Sequence, residues 1–196
     1  YYAHEEDANT PIEQTAEAFD ALVRAGKVRS IGVSNFSADA TQAWIDVARA
    51  NDWAEPIAVQ PHYNLVHRND YEEELAPLVA REDLAVLPYW SLAAGFLTGK
   101  YRTPVEQGES PRAGQASKYA VPQGLAIIDA LEEIGHAHGV SIATTALAWL
   151  LAKPQIVAPV ASASKPEQID GLLAVATTTL TDDEVAALDE VSTWRH

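Results

Sequence analysis

Residues 26–36 read GKVRSIGVSNF and combine the end of a helix, a buried strand and a polar pair. Gly26 suits the left-handed turn that ends a helix. Residues 28–33 form a run of strand length with several β-branched side chains. Ser34 and Asn35 follow where this strand passes into a loop. In a β/α barrel, ligands bind at the carboxyl ends of the strands, so the polar pair is a candidate binding site.

On both sides of this segment, strands and helices alternate at a spacing of roughly 25–35 residues, which is typical of a parallel α/β fold. The predicted strands are 1–4, 28–33, 57–60, 84–89 and 156–160. The predicted helices are 11–25, 37–51, 70–81, 122–138, 141–152, 164–175 and 181–192. A β/α barrel closes at eight strands and needs about 250 residues, so we expect about five of the eight β/α units, in one domain over residues 1–196. No GxGxxG motif follows a strand, which argues against a Rossmann sheet.

Several helix starts carry capping residues. Residues 10–13 (TPIE) are interpreted as a capping box with Pro11 at the first helical position. Ser37 and Asp70 are expected to cap the next two helices, and Thr181 the last one. The segment between residues 103 and 117 is rich in Gly, Pro, Ser and Gln, and we predict a mobile flap there.

Composition excludes several classes of function. The chain has 196 residues, 47% of them hydrophobic, and no apolar run of bilayer length. Its formal charge of −15 argues against nucleic acid or anionic lipid as a partner. No cysteine is present, which fits a reducing cytoplasm, and no His-rich cluster indicates a metal. The chain lacks methionine and begins at Tyr1, so we expect that residues precede it in the encoded protein.

Polar side chains end four of the predicted strands. His4 ends the first strand, where an imidazole N–H could polarise a carbonyl group; the alternative is a histidine satisfied by a backbone carbonyl. Ser34, Asn35 and Gln60 end the next two strands, and their side chains offer the donors and acceptors that an amide ligand needs. Tyr89 ends the fourth and offers a stacking face. Simple strand termination, or a core position for Tyr89, is the alternative for each of these.

Two loops have the composition of phosphate-binding segments. Residues 92–101 (LAAGFLTGKY) place small residues beside Lys100, so that backbone N–H groups can approach a pyrophosphate. Residues 162–168 (SASKPEQ) place Lys165 at a predicted helix start, where an anion is stabilised. The alternative for the second loop is an ordinary helix cap with a solvated lysine.

Together these motifs resemble the aldo-keto reductases, which are NADPH-dependent carbonyl reductases built on a (β/α)8 barrel. The resemblance covers residues 1 to about 192 and corresponds to the C-terminal portion of the family, from the fourth barrel strand onward. It rests on residues 26–36, on "VLPYW" ending at Trp90, and on the two loops. The chain departs from the family pattern at Ser162, where Gly is common, and at Leu172, where an adenine-contacting Asn is usual.

The resemblance implies specific roles. His4 corresponds to the tetrad histidine that hydrogen-bonds the substrate carbonyl. Ser34, Asn35 and Gln60 would hold the nicotinamide carboxamide, with Tyr89 stacked under the ring. The pyrophosphate loop would comprise Leu92, Gly95, Leu97, Gly99 and Lys100. The 2′-phosphate site of NADPH would comprise Ser162, Ser164, Lys165 and Gln168.

The resemblance also implies what this chain does not carry. The family's acid tyrosine, with its lysine and aspartate, comes from earlier strands, so residues 1–196 hold one tetrad member and most of the cofactor site. We expect the complete protein to reduce aldehydes or ketones with NADPH, the missing strands being supplied by a further segment or a separate chain. Two alternatives stay open. One is a cofactor-binding regulatory module like potassium-channel β subunits, and the other is an inactive fragment.

The remaining histidines are interpreted as loop or helix-surface residues: His62, His67, His136, His138 and His196. His62 and Tyr63 follow Gln60 closely enough to line a pocket. The acidic run of residues 72–74 is interpreted as a solvated helix face.

Overall fold

The computed structural model describes residues 1–102 and 113–193, and a four-stranded parallel sheet lies at its centre. The strands are β1 (Tyr2–Ala3), β2 (Ile31–Ser34), β3 (Pro56–Gln60) and β4 (Ala85–Val86), and they pair in chain order. The predicted strand positions are confirmed for these four, although β2 begins at Ile31 rather than at Val28. The parallel α/β prediction is therefore confirmed for the described residues.

The fifth predicted strand, residues 156–160, is wrong as a strand. Ile156 makes only an isolated bridge to Val86, with Val157 N–H donating to the Val86 carbonyl at 3.0 Å. Pro159 has no N–H to continue the ladder. Val160 N–H then donates to the Pro88 carbonyl at 2.8 Å, so the segment still runs beside β4. The described residues thus form four strands, and residues 156–160 add an isolated bridge rather than a fifth strand.

Helices lie between successive strands and after the last strand. They are α1 (Ile12–Arg24), α2 (Ala38–Asn51), α3 (Ala76–Glu82), α4 (Ala113–Ser117), α5 (Pro122–His138), α6 (Ile142–Leu151), α7 (Ile169–Leu173) and α8 (Asp182–Val191). A π-helical turn over Asp70–Leu75 leads into α3. The single predicted helix over 164–175 is instead α7 with a short 3₁₀ turn on each side. Most of the predicted flap, residues 103–112, lies outside the described residues. No described helix is long and apolar enough to span a bilayer.

Helix ends follow the capping rules in part. The Ser37 hydroxyl accepts from Ala40 N–H at 3.1 Å, and Thr181 forms the predicted capping box with Glu184. The box at residues 10–13 is wrong, because the Thr10 hydroxyl donates to Asp7 and Pro11 itself is the N-cap. The Asp70 cap is also wrong, since Asp70 lies inside the π-helical turn and its carboxylate pairs with His67.

The segment over residues 26–36 folds largely as its composition predicts. Gly26 has φ of 67° and donates to the Val23 carbonyl, while Lys27 N–H donates to the Leu22 carbonyl. These two bonds are a Schellman motif, which ends α1. The chain then enters β2, whose Ile31 and Val33 are buried in the core with Trp44 of α2. This placement brings Ser34 and Asn35 to the carboxyl edge of the sheet.

Candidate functional site

The carboxyl ends of the four strands bring the predicted polar residues to one edge of the sheet. His4 follows β1, Asn35 follows β2, Gln60 ends β3 and Tyr89 lies beyond β4. Ser34 and Gln60 are direct partners in the β2–β3 register. The carboxyl ends of parallel strands all lie at the same edge of a sheet. Residues as far apart in the chain as His4 and Tyr89 are therefore brought to one edge of this sheet.

Asn35 connects three of the strands through its side-chain amide. Its Nδ2 group donates to the His4 carbonyl at 2.9 Å and to Ser34 Oγ at 3.3 Å. Ser34 Oγ in turn donates to the Gln60 carbonyl at 2.9 Å. Asn35 adopts a left-handed backbone conformation with φ of 54°, which Asn tolerates better than most residues. The predicted trio is therefore assembled, with Ser34 connecting Asn35 to Gln60.

Tyr89 completes this group from the neighbouring strand. Its hydroxyl donates to Asn35 Oδ1 at 2.8 Å, and its half-buried ring stacks on His62 with centroids 5.4 Å apart. Burial raises the pKa of Tyr89, so the phenol stays protonated and remains the donor at neutral pH. One ring face is thus covered by His62, and a stacked ligand would use the other.

Gln60 is the member of the trio whose amide stays available. Both Nδ2 hydrogens of Asn35 are already donated, whereas no side-chain hydrogen bond of Gln60 is found among the described residues. Gln60 faces a cavity of about 330 Å³ that Asn35 and Tyr89 also line. Its donors and acceptor are therefore the best placed to meet an amide ligand.

The same cavity has an apolar side and an acidic side. Phe36, Tyr71 and Leu75 contribute apolar surface, and Asp70 and Glu74 contribute carboxylates. Its size lies at the lower end of the range for small-molecule sites. No group of three or more His, Asp or Glu residues within 1–102 and 113–193 is arranged to hold a metal ion.

His4 lies at the predicted place with an exposed side chain. Its carbonyl oxygen accepts from Asn35, and no hydrogen bond to its ring is found among the described residues. The alternative of a ring satisfied by a backbone carbonyl is therefore not what the structure shows. The imidazole remains available to a ligand at this edge.

The first loop, residues 92–101, has an unusual backbone conformation. Ala93, Ala94, Gly95 and Gly99 all have positive φ, from 48° to 94°, within and just after a 3₁₀ segment over Ala93–Thr98. At Gly95 a Cβ would lie 3.2 Å from Lys100 Cε, so the absence of a side chain leaves room for the lysine. Lys100 is exposed and lies 4.8 Å from the Tyr101 ring.

Two leucines of this loop face the interior. Leu97 is fully buried and Leu92 is half-buried against the core. Neither side chain is presented to a phosphate, and the Leu97 N–H already donates to the Leu92 carbonyl at 3.2 Å. The side chains available to a ligand are those of Lys100 and the small residues around it.

The second loop, residues 162–168, is exposed except for Ala163, which is half-buried, and is held together by Gln168. The Gln168 side-chain oxygen accepts from Ser164 N–H at 2.8 Å, from the Ser164 hydroxyl at 3.2 Å and from Lys165 N–H at 3.3 Å. These donors are therefore used within the loop. The following 3₁₀ turn, Pro166–Gln168, has only three residues and offers little helix dipole. The side chains of Ser162 and Lys165 remain as the donors exposed to an anion.

Sequence reasoning missed a second group beside the site, centred on Arg68. Its guanidinium donates to both carboxylate oxygens of Glu72, at 2.8 and 3.0 Å, and to the Asp189 carbonyl at 2.9 Å. The Tyr63 hydroxyl also donates to Glu72 at 2.7 Å, and burial together with this bond raises the pKa of Tyr63 far above its usual value. The solvated-face interpretation is thus wrong for Glu72, although Glu73 and Glu74 are exposed.

His62 lines the cavity, as its position after Gln60 predicts, whereas His67 was interpreted only as a loop or surface residue. Their rings stack 3.8 Å apart, and both line the cavity next to Tyr89. Burial, followed by the nearby charges of His67 and Lys118, lowers the pKa of His62 to about 4. The signal in the sequence was their position after Gln60, within the loop that follows β3.

The chain is similar to several known proteins along nearly its whole length. The chain is 31% identical over 199 residues to an L-glyceraldehyde 3-phosphate reductase of Escherichia coli (strain K12), covering 97% of this chain and 57% of that protein. It is 34% identical over 174 residues to a probable voltage-gated potassium channel subunit beta of Oryza sativa subsp. japonica, covering 86% of this chain and 53% of that protein. A solved glycerol dehydrogenase of Gluconobacter oxydans superposes with a TM-score of 0.82 at 30% identity, over 97% of this chain and 57% of that one.

The chain therefore spans a little over half of the length of these relatives. The family model with the description Aldo/keto reductase family matches residues 1–193. Because that match covers nearly the whole chain, and the superposed dehydrogenase has the same fold, the chain belongs to the aldo/keto reductase family.

Proposed function

We propose that this chain is the cofactor-binding part of an NADPH-dependent reductase of aldehydes and ketones. The observation that carries the proposal is the meeting of Asn35, Gln60 and Tyr89 around one cavity at the carboxyl edge of the sheet. The bound cofactor would supply the hydride. The chain's own contribution is to bind and orient that cofactor and to polarise the substrate.

The donor set fits a nicotinamide carboxamide. Gln60 has an amide with unused donors and acceptor, and Asn35 Oδ1 can accept one more hydrogen bond beside that from Tyr89. The Tyr89 ring face opposite His62 would support the nicotinamide ring by offset stacking. We propose that Asn35 acts mainly by fixing Tyr89 and His4, while Gln60 makes the direct contact.

The two loops would hold the phosphates. Lys100, beside the left-handed backbone at residues 93–95, would supply the main attraction for a pyrophosphate, since Ala93 N–H and Gly95 N–H already donate to nearby backbone carbonyls. Lys165 and Ser162 would meet the 2′-phosphate, with Gln168 stabilising the loop rather than binding the anion. The preference for NADPH over NADH rests mainly on Lys165. The helix-dipole contribution that the sequence predicted there has little support in a three-residue turn.

His4 would donate its ring N–H to the substrate carbonyl and stabilise negative charge as it develops on that oxygen. No residue of this chain is assigned as the acid that protonates the oxygen. We therefore expect residues 1–196 alone to bind cofactor without efficient turnover, because general acid catalysis contributes about 10²–10⁴-fold in rate. We propose that the remaining tetrad members lie outside residues 1–196 and that the protein works in the cytoplasm.

The test is cofactor oxidation by the complete gene product with a panel of small aldehydes and ketones. Glyceraldehyde and glyceraldehyde 3-phosphate belong in the panel, since the similar E. coli protein is named for the latter. Turnover that is reduced in the Gln60→Leu variant, with KM for cofactor raised, would support the proposal. The matched control is Gln42→Leu on α2, which lies in the helix layer and pairs with Asp46.

A second candidate is a regulatory module that binds the cofactor without efficient chemistry. The similarity to a probable potassium channel subunit beta favours it. Tight cofactor binding with no turnover on any carbonyl of the panel would favour this second function over the first. Absence of cofactor binding would exclude both.

A further inference from the structure

Three aromatic rings lie in a column beside the cavity. The Tyr89 ring stacks on His62 with centroids 5.4 Å apart and planes 25° from parallel, and His62 stacks on His67 at 3.8 Å and 12°. His67 Nε2 then lies 3.1 Å from an Asp70 carboxylate oxygen. We call Tyr89, His62 and His67 the ring column. It connects the predicted nicotinamide stacker to the π-helical turn that carries Asp70.

The middle ring of the column is fixed by Asn64, which is fully buried. Asn64 Oδ1 accepts from Val66 N–H at 3.0 Å, and its Nδ2 donates to the Trp90 carbonyl at 2.9 Å. These two bonds fix the orientation of the amide. Its Nδ2 group also lies 3.3 Å from His62 Nε2 and can only donate to it. His62 Nε2 is therefore an acceptor, which requires a neutral ring with the proton on Nδ1.

We propose that His62 and His67 are positioning residues that hold Tyr89 for nicotinamide stacking, and that the column does this only while His62 is neutral. The inference rests on the proposed function. The chain carries no other described ring against the rear face of Tyr89. A shift of Tyr89 would also break its hydrogen bond to Asn35, which joins the loops after β2 and β4.

Charge on His62 opposes this arrangement from two directions. A proton on Nε2 would point at the Nδ2 donor of Asn64, and a charged ring would lie 3.8 Å from the His67 ring. The titratable groups around His62 are Tyr89, His67, Asp70 and Lys118, with Glu74 on the same cavity. Desolvation, His67 and Lys118 disfavour the cation and outweigh Asp70, so the pKa of His62 falls to about 4. The column is therefore intact at neutral pH and is lost only as the pH approaches about 4.

The test measures the dissociation constant of NADP⁺, or of NAD⁺ if that binds more tightly, for the complete protein from pH 8 to about 4, the pKa of His62. His62→Ala removes the middle ring, and we expect it to weaken binding about 3- to 10-fold at pH 7.5. His62→Phe keeps a ring that cannot titrate. We expect it to bind within about 3-fold of wild type at pH 7.5 and to lose the weakening that wild type shows as the pH approaches about 4.

The control is His138→Gln, which removes a histidine paired with Glu184 on α8, away from the site. It should leave both the affinity and its pH profile unchanged. Thermal unfolding of each variant at pH 7.5 shows that it is folded, and His67→Phe repeats the test one ring further from Tyr89. Superimposable pH profiles for wild type and His62→Phe, or unchanged affinity in His62→Ala, would overturn the inference while the proposed function stands. Wild type that binds neither cofactor at pH 7.5 would overturn the proposed function itself.

Discussion

The Tyr89 hydroxyl donates to Asn35 Oδ1 at 2.8 Å, across 54 residues of chain. This bond joins the loop after β4 to the loop after β2, with β3 between them in the sheet. It therefore passes over the end of β3, where Gln60 lies. The site is therefore held together by a side-chain hydrogen bond between two loops as well as by strand pairing.

Removing only the hydroxyl tests this contact. Tyr89→Phe keeps the ring and its stacking on His62, and it leaves Asn35 Oδ1 without its donor. A single hydrogen bond contributes about 0.5–1.5 kcal/mol, so we expect cofactor affinity to fall about 2- to 10-fold, measured by fluorescence titration. Tyr1→Phe, at the opposite end of β1, should have no effect. Equal affinities in both variants would contradict a role for the bond.

Lys165→Ala tests the assignment of the 2′-phosphate site. Lys165 is exposed, so its attraction to a phosphate is screened by solvent, and we expect a loss of about 3- to 10-fold in NADPH affinity. NADH affinity should stay unchanged because NADH lacks that phosphate. Lys27→Ala, an exposed lysine after α1, is the matched control. A parallel loss for NADH would show that Lys165 acts elsewhere on the cofactor.

Arg68→Met tests the network that anchors the loop after β3. Arg68 is largely buried and makes four hydrogen bonds, to Glu72, Asp189 and Ser192. We expect the free energy of unfolding to fall by about 2–3 kcal/mol, measured by urea denaturation. Arg81→Met removes an exposed arginine that contacts Glu82 and Gln42 and should cost under about 1 kcal/mol. Similar costs for the two variants would count against the network.

Gly32→Ala tests the close approach of β1 and β2. A Cβ at position 32 would lie 2.6 Å from the Tyr2 ring and 2.8 Å from the Ala58 carbonyl, and the backbone oxygen cannot turn away. We expect a loss of about 1–3 kcal/mol in unfolding free energy by urea denaturation. Gly114→Ala in α4 meets no atom within 4 Å and should be neutral or stabilising. An unchanged midpoint for Gly32→Ala would mean that the strands can separate without cost.

The low pKa of His62 predicts how stability depends on pH. The unfolded chain takes up a proton on His62 near pH 6.5, whereas the folded chain does so near pH 4. Between these values the unfolded state binds more protons, so this residue lowers stability as the pH falls from 6.5 to 4. We expect the melting temperature of wild type to drop more than that of His62→Phe between pH 7 and 4.5. An equal drop would show that His62 titrates normally in the folded protein.

Local signals in the sequence predicted much of the fold. Gly26 ends a helix through its left-handed conformation, Ser37 and Thr181 cap helices, and the apolar runs mark four of the strands correctly. Each of these depends on residues within a few positions of one another. Parallel pairing then brings the strand-end residues together, which is why Ser34, Asn35, Gln60 and Tyr89 could be grouped from the sequence.

The predictions that were wrong concern residues with more than one possible partner, either nearby or distant in the sequence. Thr10 and Asp70 have good capping side chains, but Asp7 and His67 offer them alternative partners. Residues 156–160 read as a strand, yet pairing stops at a single bridge. The ring column and the Arg68 network depend on the path of a loop, which periodicity does not specify. Glu72 therefore looked solvated in the sequence, although it accepts hydrogen bonds from Tyr63 and Arg68.

The contact between Arg68 and Asp189 affects the order in which parts of the chain can fold during synthesis on the ribosome. The two residues are 121 positions apart, so the sheet and the site loop are synthesised well before α8 appears. At a translation rate of roughly 5–20 residues per second, Arg68 is synthesised at least several seconds before Asp189, whose carbonyl it contacts. The loop that carries His62 and His67 is thus anchored among the last parts of this chain.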